Sequence, residues 1–217
     1  MNDAISRRRT TLLAGAVIGS FVVGLSAWIL PDPARFVESM GQASAVPALG
    51  WVIAILVAIV YTAYTLWAVP TVRSIAIERS WFRLLAIPLA LLSGVLEEMF
   101  FRRVVMDALA SEGAPLLLQI VLSAALFAVV HCVWVVFARS WRIAPPVLCS
   151  TFALGVLLSL VYVASNRVII PAILTHIAIN LVIEPGLLHS AAQRAVRLTG
   201  AGEDQESVCD NPPSVDQ

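Results

Sequence analysis

Long apolar runs constrain the fold of this 217-residue chain more than any other feature of its sequence. Apolar residues make up 59% of the chain and charged residues only 13%, which is far from the balance of a soluble domain. A helix of about 20 apolar residues is long enough to cross the hydrocarbon core of a bilayer. We therefore predict an all-α fold, a polytopic membrane helical bundle with about six transmembrane helices. The predicted spans are residues 11–30, 49–70, 84–105, 115–137, 145–164 and 168–188.

The arginines predict how these helices cross the membrane. All 14 basic residues are arginines, and an excess of positive charge marks cytoplasmic loops. One side of the predicted topology carries ten of them, whereas the other side carries only Arg35 and Arg167, beside acidic residues. We therefore predict that both termini are cytoplasmic. The ten are Arg7, Arg8, Arg9, Arg73, Arg79, Arg83, Arg139, Arg142, Arg194 and Arg197.

One compact helical domain is predicted, and its chain divides into three segments. Residues 1–83 form an N-terminal cytoplasmic arm and two transmembrane helices, and residues 84–188 form a core of four helices. Residues 189–217 are rich in acidic residues and have little to bury, so we predict a disordered cytoplasmic tail.

Charge and cysteine content argue against several other classes of protein. The formal net charge is zero, whereas a nucleic-acid partner would call for a basic surface. The three cysteines show no paired spacing, so neither a disulfide framework nor a CxxC metal site is expected.

Two adjacent carboxylates, Glu97 and Glu98, interrupt the third apolar run. An ionised carboxylate at bilayer depth costs at least about 2.5 to 3.5 kcal/mol on insertion scales, so both need partners. The matching polar groups are His131 in the fourth run and His176 with Asn180 in the sixth. These groups can meet inside the bundle, and ionisable residues within a membrane indicate a functional site.

The spacing of these residues predicts a different task for each carboxylate. Glu98 and Arg102 are four residues apart on one helix face and can form an ion pair that holds the site in shape. Glu97 points about 100° away around the helix and is free to act as a general base. His131, with Phe127 one turn before it, can share a water molecule with Glu97.

The third contribution comes from His176 and Asn180, which are also four residues apart. An imidazole N–H and an amide NH2 on one face can form an oxyanion hole. Combined with Glu97 and His131, they predict the hydrolysis of a peptide bond inside the membrane. Water would reach the site through a polar cavity between helices, because none is available from lipid.

At these positions the sequence resembles a known family. Residues 97–102 are similar to its EExxxR motif, residues 127–131 to its FxxxH motif and residues 176–180 to its HxxxN motif. Their order and spacing resemble the CPBP family of CAAX-processing-type intramembrane proteases. This family includes the Ras-converting CAAX endopeptidase and bacterial bacteriocin-processing or immunity-associated members. The resemblance covers about residues 84–188.

The resemblance implies a role for each matched residue. Glu97 would be the general base, and His131 would help it to activate the water. His176 and Asn180 would stabilise the oxyanion. The supporting residues would be Glu98, Arg102 and Phe127.

The sequence leaves metal use open. Glu97, His131 and His176 are chemically able to bind Zn with water as the fourth ligand. The chain has no HExxH helix, however, and each of these ligands would come from a different helix. We therefore favour a glutamate protease that needs neither a metal nor another cofactor.

Two further functions stay open alongside the protease. Glu and His within spans can carry protons or ions in a transporter, although no inverted repeats support this function. A catalytically silent scaffold or immunity protein would be indicated by the loss of Glu97 or His131, and both are present. For a protease, the expected partners are the lipid bilayer and a membrane-associated peptide or protein, with or without a lipid. The expected location is a bacterial plasma membrane.

Overall fold

The computed structural model describes residues 2–77, 81–133, 135, 141 and 144–187, and this part of the chain contains helices and no strand. Its helices are α1 (Asn2–Ile29), α2 (Pro33–Met40), a 3-10 turn (Ala43–Ala45), α3 (Ala48–Ala68), α4 (Pro70–Ile77), α5 (Trp81–Glu98), a π-helical segment (Met99–Met106), α6 (Asp107–Ser111), α7 (Leu116–His131), α8 (Ala144–Ala164) and α9 (Ile170–Leu187). The predicted acidic tail, residues 189–217, lies outside the described residues.

The predicted polytopic helical bundle is confirmed, and the described residues contain four or five of the about six predicted spans. In the described part of the chain, four helices are long and apolar enough to cross a membrane: Ala48–Ala68, Arg83–Ser111, Ala144–Ala164 and Ile170–Leu187. A fifth is counted only if Ala14–Ile29 and Pro33–Ala45, which are bent by 101°, form one span. The protein is therefore an integral, multi-pass membrane protein. The cytoplasmic placement of the termini stays a prediction.

The bend between α1 and α2 has a local cause. Asp32 caps α2, because its Oδ1 accepts a hydrogen bond from the backbone N of Arg35 at 2.9 Å. Pro33 occupies the first position of α2, where its fixed φ suits a helix start and its missing N–H costs nothing. The chain thus stops one helix and starts another within a few residues.

Helix α7 has 16 residues and ends at His131, short of the predicted end at residue 137. The backbone N of Cys132 donates to the carbonyl of Val129 at 3.0 Å, which is the tighter hydrogen-bond pattern common at helix ends. Residues 136–140 lie outside the described part of the chain. His131 consequently lies in the last turn of α7, and the structure describes helical residues again at Val133 and Val135.

Close approach of helices depends on two glycines. A Cβ on Gly155 of α8 would lie 2.9 Å from the Cα of Ala124 on α7, and a Cβ on Gly94 of α5 would lie 2.6 Å from Ile177 Cγ1 on α9. Small residues at such contacts allow membrane helices to pack backbone against backbone. They bring α5, α7, α8 and α9 together around one interior.

A polar network joins the helices at one end of this interior. The carboxylate of Asp107 accepts hydrogen bonds from Tyr162 Oη at 2.9 Å, Arg167 Nη1 at 2.6 Å and Arg103 Nη1 at 3.1 Å. Arg167 Nη2 also donates to Gln119 Oε1 at 2.5 Å. The network connects α6, α7 and α8 with the turn that leads to α9.

Candidate active site

Glu97 and Glu98 lie at the end of α5, where the helix continues into the π-helical segment. The hydrogen bonds of a π-helix span five residues rather than four, and such segments are frequent at functional sites. Arg102 lies in this π-helical segment. The three charged residues Glu97, Glu98 and Arg102 therefore lie where α5 meets the π-helical segment.

Glu98 is fully buried and has two partners. Its Oε1 lies 3.1 Å from Arg102 Nη1, as the sequence predicted, and 2.8 Å from His176 Nδ1 on α9. Arg102 is equally buried, and its Nη2 donates to the carbonyl of Gly155 on α8 at 3.1 Å. A carboxylate and a guanidinium therefore link α5 to both α8 and α9 across the interior.

Glu97 has a different environment. Its Oε2 is buried and has no hydrogen-bond partner among the described residues. The same oxygen lies 3.7 Å from His131 Nε2 and 3.9 Å from His176 Nε2. Both separations exceed a hydrogen bond, so two imidazoles flank this oxygen without satisfying it.

The hydrogen-bond partners of the two Nδ1 atoms determine which nitrogen of each imidazole ring carries a hydrogen. His131 Nδ1 lies 2.8 Å from the carbonyl oxygen of Phe127 and must donate to it, because a carbonyl only accepts. His176 Nδ1 faces the Glu98 carboxylate at 2.8 Å and donates in the same way. Each neutral ring then presents the lone pair of Nε2 to Glu97. His176 can donate from Nε2 as well only as an imidazolium.

The Phe127 side chain packs against both imidazole rings. Its buried ring lies 4.3 Å from the His131 ring and 5.7 Å from the His176 ring, measured between centroids. The guanidinium carbon of Arg102 lies 5.1 Å from the same centroid, within the range of a cation–π contact. One aromatic side chain thus contacts groups from three helices.

Solvent exposure distinguishes two pairs of side chains in the site. The side chains of Glu97 and His131 are 14% and 18% exposed, whereas those of Glu98 and His176 are 0% and 1% exposed. Of these four side chains, Glu97 and His131 are therefore the two on the more accessible side of the cluster.

Asn180 lies one turn beyond His176 on α9, as predicted. Its Nδ2 donates to Ser93 Oγ on α5 at 3.1 Å, which leaves the second N–H of the amide available. Helices α5 and α9 thus meet at two levels. Glu98 contacts His176 at one level, and Ser93 contacts Asn180 at the other.

Sequence reasoning missed two members of the cluster, Ser93 and Glu184. Glu184 lies one turn beyond Asn180 and is near enough to Ser93 and Glu97 for electrostatic interaction. Its Oε2 is buried and has no hydrogen-bond partner in the described structure. The signal was present, because Ser93 precedes Glu97 by four residues and Glu184 follows Asn180 by four.

The metal question stays open. Within the residues that the structure describes, no group of three His, Cys, Asp or Glu side chains is placed to hold a metal ion. Glu97 Oε2 nevertheless lies within 4 Å of both imidazole Nε2 atoms, so the three predicted ligands are neighbours. Their use as ligands is untested.

Together, the fold and the cluster define a class of protein: a multi-pass membrane protein with a hydrolase-like group of Glu, His and Asn side chains in its interior. A comparison with protein families agrees with this class. Residues 79–182 match the model of the family described as type II CAAX prenyl endopeptidase Rce1-like. This segment contains all three motifs, and the match supports the CPBP family of CAAX proteases, which the motifs indicated. No curated protein and no solved structure matches the chain.

Proposed function

We propose that this protein is an intramembrane endopeptidase that hydrolyses a peptide bond of a membrane-associated peptide or protein. The observation that carries the proposal is the Glu97 carboxylate oxygen Oε2, which is buried without a hydrogen-bond partner among the described residues and is flanked by the Nε2 atoms of His131 and His176. A carboxylate held in this way is suited to take a proton from water. The match to the CAAX protease family supports the same activity.

The proposed reaction begins with a water molecule between Glu97 and His131. Glu97 Oε2 takes one proton of this water while its oxygen forms a bond with the scissile carbonyl carbon. His131 Nε2 accepts a hydrogen bond from the other O–H and orients the water. The Nε2 is free for this task because Nδ1 donates to Phe127.

The carbonyl oxygen becomes an oxyanion as the new bond forms. The proposal assigns its stabilisation to Nε2–H of protonated His176 and to the second N–H of Asn180. Glu97 then gives its proton to the leaving nitrogen, the C–N bond breaks, and a carboxylic acid and an amine are released. Glu98 and Arg102 keep His176 in place through the buried contacts described above.

The substrate class and the location are part of the proposal. The family description names a prenyl endopeptidase of CAAX sequences, and we propose a CAAX-type or related substrate anchored in the bilayer, with or without a lipid. The proposed location is the plasma membrane of a bacterium. Glu97, His131 and His176 are assigned here to proton transfer and hydrogen bonding, without a metal.

Purified protein in lipid nanodiscs tests the proposal. Peptides ending in a CAAX sequence, with and without a prenyl group, are incubated with wild type, Glu97→Gln and Glu112→Gln, and the products are identified by mass spectrometry. We expect cleavage by the wild type and by the exposed control Glu112→Gln. Glu97→Gln should lower kcat by about 10²- to 10⁴-fold, the usual range for general acid–base catalysis.

The same assay separates the alternatives. Cleavage by Glu97→Gln at the wild-type rate would contradict the assignment of the base. A rate that falls with a metal chelator and returns on addition of Zn²⁺ would contradict the metal-independent mechanism. A preference for the prenylated peptide would show that the lipid is recognised.

A further inference from the structure

A cavity of about 590 Å³ lies between α1, α2 and the π-helical segment. Its volume is within the range of about 300 to 1,000 Å³ that ligand sites occupy, and its lining includes no residue of the cluster around Glu97. Phe36 and Met99 contribute apolar lining and are 8% and 0% exposed, and Trp28 packs against the same apolar cluster. The cavity therefore offers a firm apolar surface to a ligand.

Two arginines with spare hydrogen-bond donors line the same cavity, Arg35 and Arg103. The guanidinium of Arg35 has no hydrogen-bond or ion-pair partner among the described residues, since the contact with Asp32 is made by the backbone N of Arg35. Arg103 donates to Asp107 and to Tyr162 from Nη1 alone. In the described structure its Nη2 and Nε therefore keep their hydrogens for another acceptor.

The cavity lies at the end of an apolar helix. The chain bends by 101° between Ala14–Ile29 and Pro33–Ala45, so α2 runs across the direction of α1 instead of continuing it. Helix α2 buries Phe36, and Trp28 lies in the last turn of α1, as is typical of tryptophans at the boundary between membrane and water. At this depth the head groups of phospholipids meet their acyl chains.

The charged lining selects the chemistry of the ligand. Guanidinium groups bind phosphate oxygens through charge-assisted hydrogen bonds, so Arg35 and Arg103 suit a phosphodiester. Asp32 also lines the cavity. Its Oδ1 caps α2, which leaves Oδ2 for a positive group of the ligand. A head group that carries a phosphate and an ammonium therefore matches all three charges, whereas a head group with a phosphate alone would be repelled by Asp32.

We propose that this cavity is a binding site for phosphatidylethanolamine, with the phosphate at Arg35 and Arg103, the ammonium at Asp32 and the upper part of the acyl chains against the apolar lining. The site is separate from the proposed active site. Its occupancy is measured without any peptide substrate, so the proposal stands or fails independently of the proposed function.

Native mass spectrometry of the full chain in detergent tests the site. The protein is titrated with phosphatidylethanolamine, phosphatidylglycerol and phosphatidylcholine of the same acyl chains, and phosphatidylethanolamine should bind most tightly. Arg35→Gln should weaken its binding by about tenfold, as the loss of one charge-assisted hydrogen bond does. The control Arg73→Gln, an exposed arginine outside the cavity lining, should bind as the wild type does. Equal affinities in the wild type and Arg35→Gln, or equal losses in the two variants, would overturn the proposal.

Asp32→Asn tests the recognition of the ammonium. Asparagine caps a helix as well as aspartate does, so this variant keeps the start of α2 and removes only the charge. We expect the preference for phosphatidylethanolamine over phosphatidylglycerol to disappear, because the repulsion of the anionic lipid and the attraction of the ammonium are lost together. A preference equal to that of the wild type would contradict the assigned role of Asp32.

The contribution of Arg103 needs its own control, because Arg103 also contacts Asp107. Arg167→Gln removes another donor to Asp107 but not a residue of the cavity lining. We expect weaker lipid binding in Arg103→Gln and wild-type binding in Arg167→Gln, and equal losses would contradict a contact of Arg103 with the phosphate.

Competition experiments identify the source of the phosphate. Diacylglycerol, which lacks the phosphate, should not displace the lipid, and glycerophosphoethanolamine, which lacks the acyl chains, should displace it only weakly. Displacement by glycerophosphoethanolamine as efficient as by the lipid itself would show that the ligand is a soluble phosphate ester, and the proposal of a lipid site would be wrong.

Discussion

Glu98 is the residue on which the charge balance of the site depends. Glu98 and Arg102 are both fully buried, and Glu98 Oε1 lies 3.1 Å from Arg102 Nη1. Glu98 Oε1 also lies 2.8 Å from His176 Nδ1. Buried charges are tolerated when they are paired and hydrogen-bonded. Arg102 is therefore the counter-charge that allows Glu98 to lie in the interior.

The pairing of Glu98 with Arg102 predicts how single and double substitutions differ in their effect on stability. Glu98→Gln should lower the free energy of unfolding by about 3 to 5 kcal/mol, because it leaves buried Arg102 without its counter-charge. Arg102→Met should have a similar cost. The double variant should lose clearly less than the sum, since it removes both charges together. Thermal or denaturant unfolding in detergent measures these changes.

The matched control for these variants is Glu112→Gln, an exposed carboxylate, which should leave stability within about 0.5 kcal/mol of the wild type. Fully additive losses in the double variant would show that Glu98 and Arg102 do not act as a pair.

At the scale of elements, the approach of α5 to α9 decides the geometry of the site. Gly94 lies between Ser93 and Glu97, and it allows α5 to lie against Ile177, the neighbour of His176. The contact between Glu98 and His176 and the contact between Ser93 and Asn180 lie on either side of this glycine. A small increase in the distance between the two helices would lengthen both contacts.

Gly94→Ala tests this dependence. The added Cβ would lie 2.6 Å from Ile177 Cγ1, so the helices must separate or Ile177 must move, at a cost of about 1 to 3 kcal/mol. We expect lower stability and a lower cleavage rate, measured by unfolding and by the nanodisc assay.

Gly19→Ala on α1 is the matched control, because in the described structure nothing beyond its chain neighbours and the nearby backbone of its own helix lies within 4 Å of its added Cβ. It should be neutral or slightly stabilising, since Ala is the better helix former. Equal behaviour of the two variants would contradict the role of Gly94.

Helical periodicity explains how much of the site the sequence could predict. Residues four apart share a face, which is enough to predict the ion pair of Glu98 with Arg102. It also predicts the alignment of His176 with Asn180. The contact between His176 and Glu98 could not be predicted in this way, because it depends on the rotation of two helices and on the close approach at Gly94.

The π-helical segment could not be predicted from the sequence, for a physical reason. Residues 99–106 are apolar with two arginines and fit a regular helix equally well. A π-helix needs more residues for each turn, so the error of a pattern based on 3.6 residues grows along this segment, although Arg102 is still close enough to Glu98 to pair with it. Glu184 was missed differently: it follows Asn180 at helical spacing, but it lies outside the motifs that drew attention to the site.

At the scale of the whole molecule, polar groups are concentrated in two places. The cluster around Glu97 occupies the interior between α5, α7 and α9, and the network around Asp107 joins helices at one end. Large apolar side chains on α3, including Leu56 and Ile59, are more than half exposed, as expected of a surface that lipid covers. Such an arrangement leaves an interior polar site in a protein whose outer surface is apolar.

The access route of water stays a prediction at this scale. If both termini are cytoplasmic, Ser93 and Glu184 lie on the cytoplasmic side of Glu97, because α5 runs away from that side and α9 returns to it. Water that enters from the cytoplasm would then reach the exposed parts of the Glu97 and His131 side chains. Neither polar cluster by itself fixes the orientation of the bundle.

The most direct test of the central claim compares the ends of membrane proteins in cells. Wild type, Glu97→Gln and His131→Ala are expressed at matched membrane abundance, and mass spectrometry identifies protein termini. The protease account predicts new termini that appear only with the wild type, and their sequences would identify the substrate class. Identical termini in all three would contradict proteolysis. Loss of a phenotype in the variants would then favour a proton-linked transporter, and its retention would favour a silent scaffold.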